Sequence, residues 1–143
     1  MTRAALALLA AAALGGPAGA AETPADAQKT YRLVTDGSTS ALAVGETGKL
    51  VVAFDPLAKG VHVDPKAPLR IRVEASAGLK PDKVELRRAD AVDASAESPR
   101  FEVPVRGVAA GAQEAKLQMD FFVCTDSWCV KQARTLSFAV QVR

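Results

Sequence analysis

Residues that perform most catalytic chemistry are scarce in this sequence of 143 residues, which has one histidine, two cysteines, one tryptophan and one tyrosine. A zinc site needs about four ligands, usually histidine and cysteine, and the chain has too few of them. No glycine-rich loop with phosphate-binding spacing occurs, and no nucleophile elbow accompanies the lone histidine, His62. The scarcity argues against the common hydrolase, zinc and nucleotide-binding classes, and we expect no metal and no cofactor.

The sequence also lacks a concentration of charge of one sign. It holds 18 basic and 16 acidic side chains, a formal net charge of +2, and the two signs are interspersed. Proteins that bind nucleic acid usually cluster positive charge on one face. We therefore expect no nucleic-acid partner. His62, flanked by Val61 and Val63, is interpreted as a loop or strand residue with a hydrogen bond.

The first residues have the pattern of an export signal. Arg3 precedes an uncharged apolar run, and the small residues Ala18, Gly19 and Ala20 follow it as a cleavage site. The run is too short to cross a bilayer core of roughly 30 Å, although a retained anchor is the alternative. The sequence predicts a periplasmic or secreted protein without stable membrane insertion, divided into a signal peptide (1–20), a flexible lead-in (21–29) and one domain (30–143).

Apolar and polar residues alternate with a period of two through most of the chain, which is typical of strands with one face in a core. Turn-forming glycine and proline residues separate the runs, and no amphipathic helix is evident. The pattern predicts an all-β, immunoglobulin-like antiparallel β-sandwich of about seven to eight strands, with a small closed barrel as the alternative. The predicted strands lie within residues 31–35, 50–54, 69–73, 84–86, 101–105, 117–123 and 136–142.

Two further features concern the connections. Pro104 has no amide hydrogen, so its strand is predicted to lie at an edge or a bulge. Residues 88–98 have too few apolar positions to dock firmly, and they are predicted to form a long loop with at most a turn of helix.

Both cysteines lie in the stretch FFVCTDSWCVKQ, residues 121–132. If the strand that ends at Val123 and the one that starts at Cys129 are neighbours, TDSW is the connecting loop and Cys124 faces Cys129. Opposed residues of antiparallel strands have Cα atoms about 4.5–5.5 Å apart, within disulfide reach. Because an exported chain meets oxidising conditions, we expect these two thiols to be bonded.

The residues around the cysteines suggest how the pair could be tuned. Asp126 opposes a negative charge on sulfur and Lys131 favours it, so both are candidates for modulating the thiol pKa. Trp128 and Phe122 are candidates for shielding the sulfurs or contacting a partner, and the alternative is that Trp128 simply packs under the hairpin. A disulfide closing so short a loop stabilises a fold by only about 2 kcal/mol, which leaves room for a redox role.

The stretches MDFFVCTDSWCVKQARTLSFAVQVR and GETGKLVVAFDPLAKGVHVDPKAPLRIRVEA together resemble the disulfide-corrector family, which includes the immunoglobulin-like N-terminal domain of the thiol:disulfide interchange protein DsbD. The resemblance covers roughly residues 41–143. It implies a periplasmic domain whose cysteine pair, here Cys124 and Cys129, passes electrons from a membrane protein to other exported thiol proteins.

Three functional hypotheses remain open from the sequence. In the first, the domain is a thiol:disulfide exchange accessory whose partners are other exported thiol or disulfide proteins. In the second, it is a non-enzymatic cell-envelope binding or assembly module, and the disulfide is purely structural. In the third, Cys124 and Cys129 handle Cu(I), with Met119 or His62 as an optional further ligand, because soft sulfur ligands suit this ion. The sequence leaves open whether the protein is an enzyme.

Overall fold

A computed structural model describes residues 23–143. The predicted signal peptide and the first two residues of the predicted lead-in lie outside the described residues. The described chain folds into one short helix and ten strands, with most of the apolar side chains buried between two sheets. The elements are α1 (Pro24–Gln28), β1 (Tyr31–Val34), β2 (Ala41–Leu42), β3 (Thr47–Pro56), β4 (His62–Val63), β5 (Arg70–Ala75), β6 (Leu79–Pro81), β7 (Glu85–Arg87), β8 (Arg100–Gly107), β9 (Gly111–Cys124) and β10 (Cys129–Val142).

The two sheets have different sizes. The first has the order β1-β3-β8-β6, and the second has the order β2-β10-β9-β5-β7 with β4 paired to the end of β9. This is the predicted immunoglobulin-like β-sandwich, and all seven predicted runs form strands. The additional strands β2, β4 and β6 are only two or three residues long, too short for an alternating pattern to announce them. The sandwich is not wholly antiparallel, because β2 pairs with β10 in the parallel sense.

The core follows directly from the alternation. Residues of one parity on each strand point between the sheets, and the largest fully buried side chains are Phe101, Phe121, Leu50, Ile71 and Leu117. Burying a side chain of this size contributes roughly 1.5–3 kcal/mol. The longest feature is the β9–β10 hairpin, whose ladder runs without interruption from the Gly111–Val142 pair to the Cys124–Cys129 pair. The hairpin therefore carries both cysteines to one end of the second sheet.

Pro104 lies on β8, which is not an edge strand, since β3 and β6 flank it. The Pro104 carbonyl accepts a hydrogen bond from the Asp82 amide at 2.9 Å. Because the amide and carbonyl groups of one strand residue point to the same side, the nitrogen of Pro104, which has no hydrogen, also faces β6. The short strand β6 ends at Pro81, immediately before this point. The prediction of an edge or a bulge is therefore wrong, and the missing donor is accommodated where β6 ends.

Residues 88–98 form the predicted long loop, and its single turn of 3-10 helix spans Arg88–Asp90. Arg88 holds the loop in place, because its guanidinium donates to the carbonyl oxygens of Ala94 (2.8 Å) and Ala96. Farther along, the Glu97 carbonyl accepts from the Val63 amide at 2.8 Å. The loop therefore lies against β4 and supports that two-residue strand.

The prediction of a flexible lead-in over residues 21–29 is wrong for its described part, because residues 24–28 form α1. Thr23 caps this helix by accepting from the Asp26 amide at 3.2 Å, and Pro24 occupies the first turn, where its fixed φ is favourable. Ala27 is completely buried, and the Gln132 side chain donates to the Pro24 carbonyl at 3.1 Å. One buried methyl group and one cap leave no hydrophobic period for sequence analysis to detect.

The docking of α1 can be tested by placing a charge at its buried position. Ala27→Asp is expected to lower the free energy of unfolding by at least about 2 kcal/mol, because an unpaired carboxylate would enter the core. Ala25→Asp, on the exposed side of the same helix, is the matched control and should change it by less than about 0.5 kcal/mol. Urea denaturation followed by circular dichroism measures both, and equal effects would show that the helix is not docked.

Candidate functional site

The two cysteines form a disulfide at the turn end of the β9–β10 hairpin, next to the loop that joins the two strands. Cys124 and Cys129 are directly opposite each other, with an S–S distance of 2.07 Å and a Cα–Cα distance of 4.1 Å. The connecting loop is TDSW, as predicted. The Thr125 amide donates to the Trp128 carbonyl at 2.8 Å, and the Ser127 amide donates to the Thr125 hydroxyl at 3.2 Å. The predicted covalent bond and its hairpin geometry are confirmed.

The two sulfur-bearing residues differ sharply in exposure. Cys124 is 2% exposed, whereas Cys129 is an exposed residue. The strand order also differs around the two residues: β4 pairs with β9 beside Cys124, but β2 pairs with β10 only at Gln141 and Val142, the opposite end of that strand. At the cysteine end β10 is therefore an edge strand. Cys129 is the residue of the pair that an incoming group can approach, whereas Cys124 is almost completely covered.

A carboxylate lies beside the disulfide. A side-chain oxygen of Asp64 and the sulfur atoms of Cys124 and Cys129 all lie within 4.8 Å of one another. Asp64 directly follows β4, and its Oδ1 accepts from the Lys66 amide at 2.9 Å, which fixes the turn after the strand. Sequence analysis missed this residue, because its proximity to the sulfurs depends on the pairing of β4 with β9, and β4 is only two residues long.

The other predicted site residues surround the disulfide in different ways. Trp128 is half-buried and packs against the core, as the packing interpretation predicts. Phe122 is half-buried and directly opposite Lys131, which is exposed and two residues beyond Cys129 on the same face of β10. Asp126 is exposed in the turn. A disulfide has no thiol to titrate, so the influence of Asp126 and Lys131 on the pKa stays a prediction for the reduced protein.

His62 and Met119, the additional ligands of the copper hypothesis, are placed differently. His62 pairs with Cys124 across β4 and β9, and its Nδ1 lies 2.9 Å from the Gly60 carbonyl, the hydrogen-bonded strand position that the sequence predicts. Met119 is 5% exposed, within the core, and an odd number of residues from Cys124 on the same strand. Its side chain therefore points to the face of the sheet opposite that of Cys124, and the hypothesis of a Cu(I) site that includes Met119 is wrong.

Asp64 completes a group of three potential ligand atoms with the two sulfurs. In the oxidised protein those sulfurs are bonded to each other and are not thiolates, which is the form that binds metal. In the oxidised protein Asp64 is therefore a neighbour of the disulfide and not part of a metal site. A soft cation could bind to the two sulfurs only after the disulfide is reduced.

Two observations bear on location. Within residues 23–143, no helix combines the length and the apolar character needed to cross a bilayer. The disulfide fits an extracellular protein, because such bonds persist in oxidising surroundings.

No protein-family model matches the chain, and no curated protein matches it. Among solved structures, the chain is similar to part of the native α-2-macroglobulin of Escherichia coli, with a TM-score of 0.52 and 15% identity over 80% of this chain. The match corresponds to only 7% of the macroglobulin chain. The chain is also similar to a cohesin module of a Clostridium perfringens family 33 glycoside hydrolase, with a TM-score of 0.50, 8% identity and coverage of 80% and 97% of the two chains. At these identities the likeness shows the β-sandwich fold alone.

The structural contribution of the disulfide can be measured by removing it. The variant Cys124→Ala/Cys129→Ala is expected to fold and to lose about 2 kcal/mol of unfolding free energy, because the bond closes a loop of only six residues. The exposed turn residue Ser127 provides a control, since Ser127→Ala should be almost neutral. Chemical denaturation gives both values. A double variant that fails to fold would show that the hairpin cannot form its ladder without the bond.

Proposed function

We propose that this protein is an exported domain, periplasmic or secreted, that exchanges electrons with partner thiol proteins through the Cys124–Cys129 disulfide. The observation that supports the proposal most strongly is the unequal exposure of the two residues, because thiol exchange needs one sulfur that a partner can reach. The resemblance of the sequence to the disulfide-corrector family points to the same chemistry. In the proposed exchange, the partner thiolate attacks the exposed residue, Cys129.

The exchange can be written in two balanced steps. A thiolate of a reduced partner attacks the Cys129 sulfur, a partner–Cys129 mixed disulfide forms, and the bond to Cys124 breaks. The Cys124 sulfur leaves as a thiolate and takes a proton from water. A second partner thiolate then attacks the partner's own sulfur and releases Cys129, which is protonated in turn. The partner loses two electrons and becomes a disulfide, and this protein becomes a dithiol that can reduce another exported disulfide by the reverse steps.

The surroundings favour protonated sulfur after the bond breaks. Cys124 is buried, and burial disfavours a charged thiolate. The Asp64 carboxylate, within 4.8 Å of both sulfurs, disfavours negative charge on either of them. The leaving sulfur is therefore expected to be trapped as a thiol, which stabilises the reduced state and makes the direct reversal of the first step slow.

The competing proposal is a cell-envelope binding or assembly module with a structural disulfide. One observation favours it: Trp128 packs against the core beneath the hairpin, as a stapled structural turn would require. Against it stands the small stabilisation of about 2 kcal/mol expected from so short a loop, at the end of a hairpin that already has a continuous ladder.

The reduction potential separates the two proposals. We expect a value between about −270 and −120 mV, the range of proteins that exchange thiols, measured by equilibration with graded glutathione or dithiothreitol buffers. The variant Cys124→Ala/Cys129→Ala, which has no cysteine, gives the background signal of the assay. A potential below about −300 mV would mark an inert structural bond and would contradict the exchange proposal.

The effect of Asp64 can be separated from that of Asp126 in the reduced protein. In a Cys124→Ala background only the exposed Cys129 reacts, and Asp64→Asn is expected to lower its thiol pKa and to raise its alkylation rate at pH 7 up to about tenfold. Asp126→Asn, which removes an equal charge from the turn, should have a smaller effect, because Asp126 lies outside the group around the sulfurs. Iodoacetamide kinetics across pH measure both, and identical profiles for the two variants would refute the role of Asp64.

A further inference from the structure

A groove lies on the outer face of the second sheet, beside the disulfide. Its lining is mainly basic and aromatic, and it includes Pro68, Arg70, Arg87, Asp120, Phe122 and Lys131. We call these six residues the basic groove. Three of them are cations and one is an acid, and the half-buried ring of Phe122 provides apolar surface between them.

The arginines of the basic groove form an unfavourable pair. Arg70 and Arg87 are direct cross-strand neighbours on β5 and β7, and like charges in this position destabilise a sheet. Arg87 has one compensating partner, Glu85, whose carboxylate is 2.5 Å from its guanidinium. Within residues 23–143, neither Arg70 nor Lys131 has a carboxylate oxygen within 4.0 Å. The paired positive charges are therefore only partly neutralised by the protein itself.

The register of the sheet connects the basic groove to the disulfide. Lys131 is two residues from Cys129 along β10, a distance of about 7 Å, and both point to the outer face. Arg70 is opposite Asp120, which is four residues from Cys124 along β9, about 13 Å. A group bound between Arg70 and Arg87 thus lies about four or five extended residues from the sulfurs.

We propose that the basic groove holds an extended acidic segment of the partner thiol protein, with carboxylates four or five residues from the cysteine that attacks Cys129. Carboxylates of that segment bind Arg70 and Arg87, its backbone passes Lys131, and an apolar side chain rests on Phe122. Charge complementarity of this kind mainly accelerates association and selects partners. The inference rests on the proposed exchange function and specifies which partners that function uses.

The test compares synthetic peptides that each contain one cysteine. The acidic peptide has glutamates four and five residues from the cysteine, on either side, and matched peptides have glutamine or lysine there. At low ionic strength the acidic peptide is expected to form the mixed disulfide with the native protein about tenfold faster than the lysine peptide. Stopped-flow mixing with detection by mass spectrometry measures the rates.

Two double variants locate the effect. Arg70→Gln/Arg87→Gln is expected to abolish most of the preference for the acidic peptide without lowering the melting temperature, because it removes a like-charge pair. Arg72→Gln/Arg106→Gln makes the same change of net charge at exposed positions outside the basic groove and should keep the preference. Equal losses in both variants would mean that only net charge matters, which overturns the proposal.

Dithiothreitol, which is small and uncharged, separates failure of the groove from failure of the exchange function. If it reduces the disulfide normally while the three peptides react at equal rates, the exchange function stands and the basic groove is not a recognition site. If neither dithiothreitol nor any peptide reduces the bond, both proposals fail together.

Discussion

The unequal coverage of two paired strands determines the character of the cysteine site. Within the described residues, β9 has a paired strand on each side at its cysteine end, since β4 pairs with it there, whereas no strand pairs with the outer side of β10 until Gln141. β4 lies beside the buried Cys124, and Asp64, which directly follows β4, lies within 4.8 Å of both sulfurs. β4 is in turn held by the Val63–Glu97 hydrogen bond from the long loop that Arg88 ties down.

The energetics show that the disulfide could open without loss of the fold. The sandwich is held by its buried apolar residues and by the continuous β9–β10 ladder, both of which are independent of the sulfur bond. A bond that contributes only about 2 kcal/mol can open while the rest of the domain, with a typical stability of about 5–15 kcal/mol, stays folded. A disulfide that closed a long loop would be harder to open reversibly, because more of the chain would be released.

The parts of the structure that are local and periodic could be predicted from the sequence, and the parts that depend on tertiary pairing could not. Alternation located seven strands, and the spacing of Cys124 and Cys129 within two such runs identified the disulfide hairpin. The helix α1 was not predicted, because a cap and the single buried residue Ala27 produce no periodic pattern of apolar residues. The position of Asp64 near the sulfurs was not predicted, because the two-residue strand β4 shows no alternation. The pairing of β4 with β9, and not the sequence around Asp64, places this residue beside the disulfide.

The period of two also explains why the basic groove and the disulfide share one face. Cys124, Phe122 and Asp120 have the same parity on β9, and the pairing of Asp120 with Arg70 and of Arg70 with Arg87 carries that face across β5 to β7. If β5 shifted by one residue against β9, Arg70 would point into the core and the basic groove would be lost, while the hairpin disulfide would stay intact. The buried side chains of opposite parity, such as Ile71 and Phe121, prevent that shift. The hydrophobic core therefore stabilises the sandwich and also maintains the alignment between the basic groove and the exposed residue Cys129, an alignment that depends on the pairing of β9 with β5 and β10.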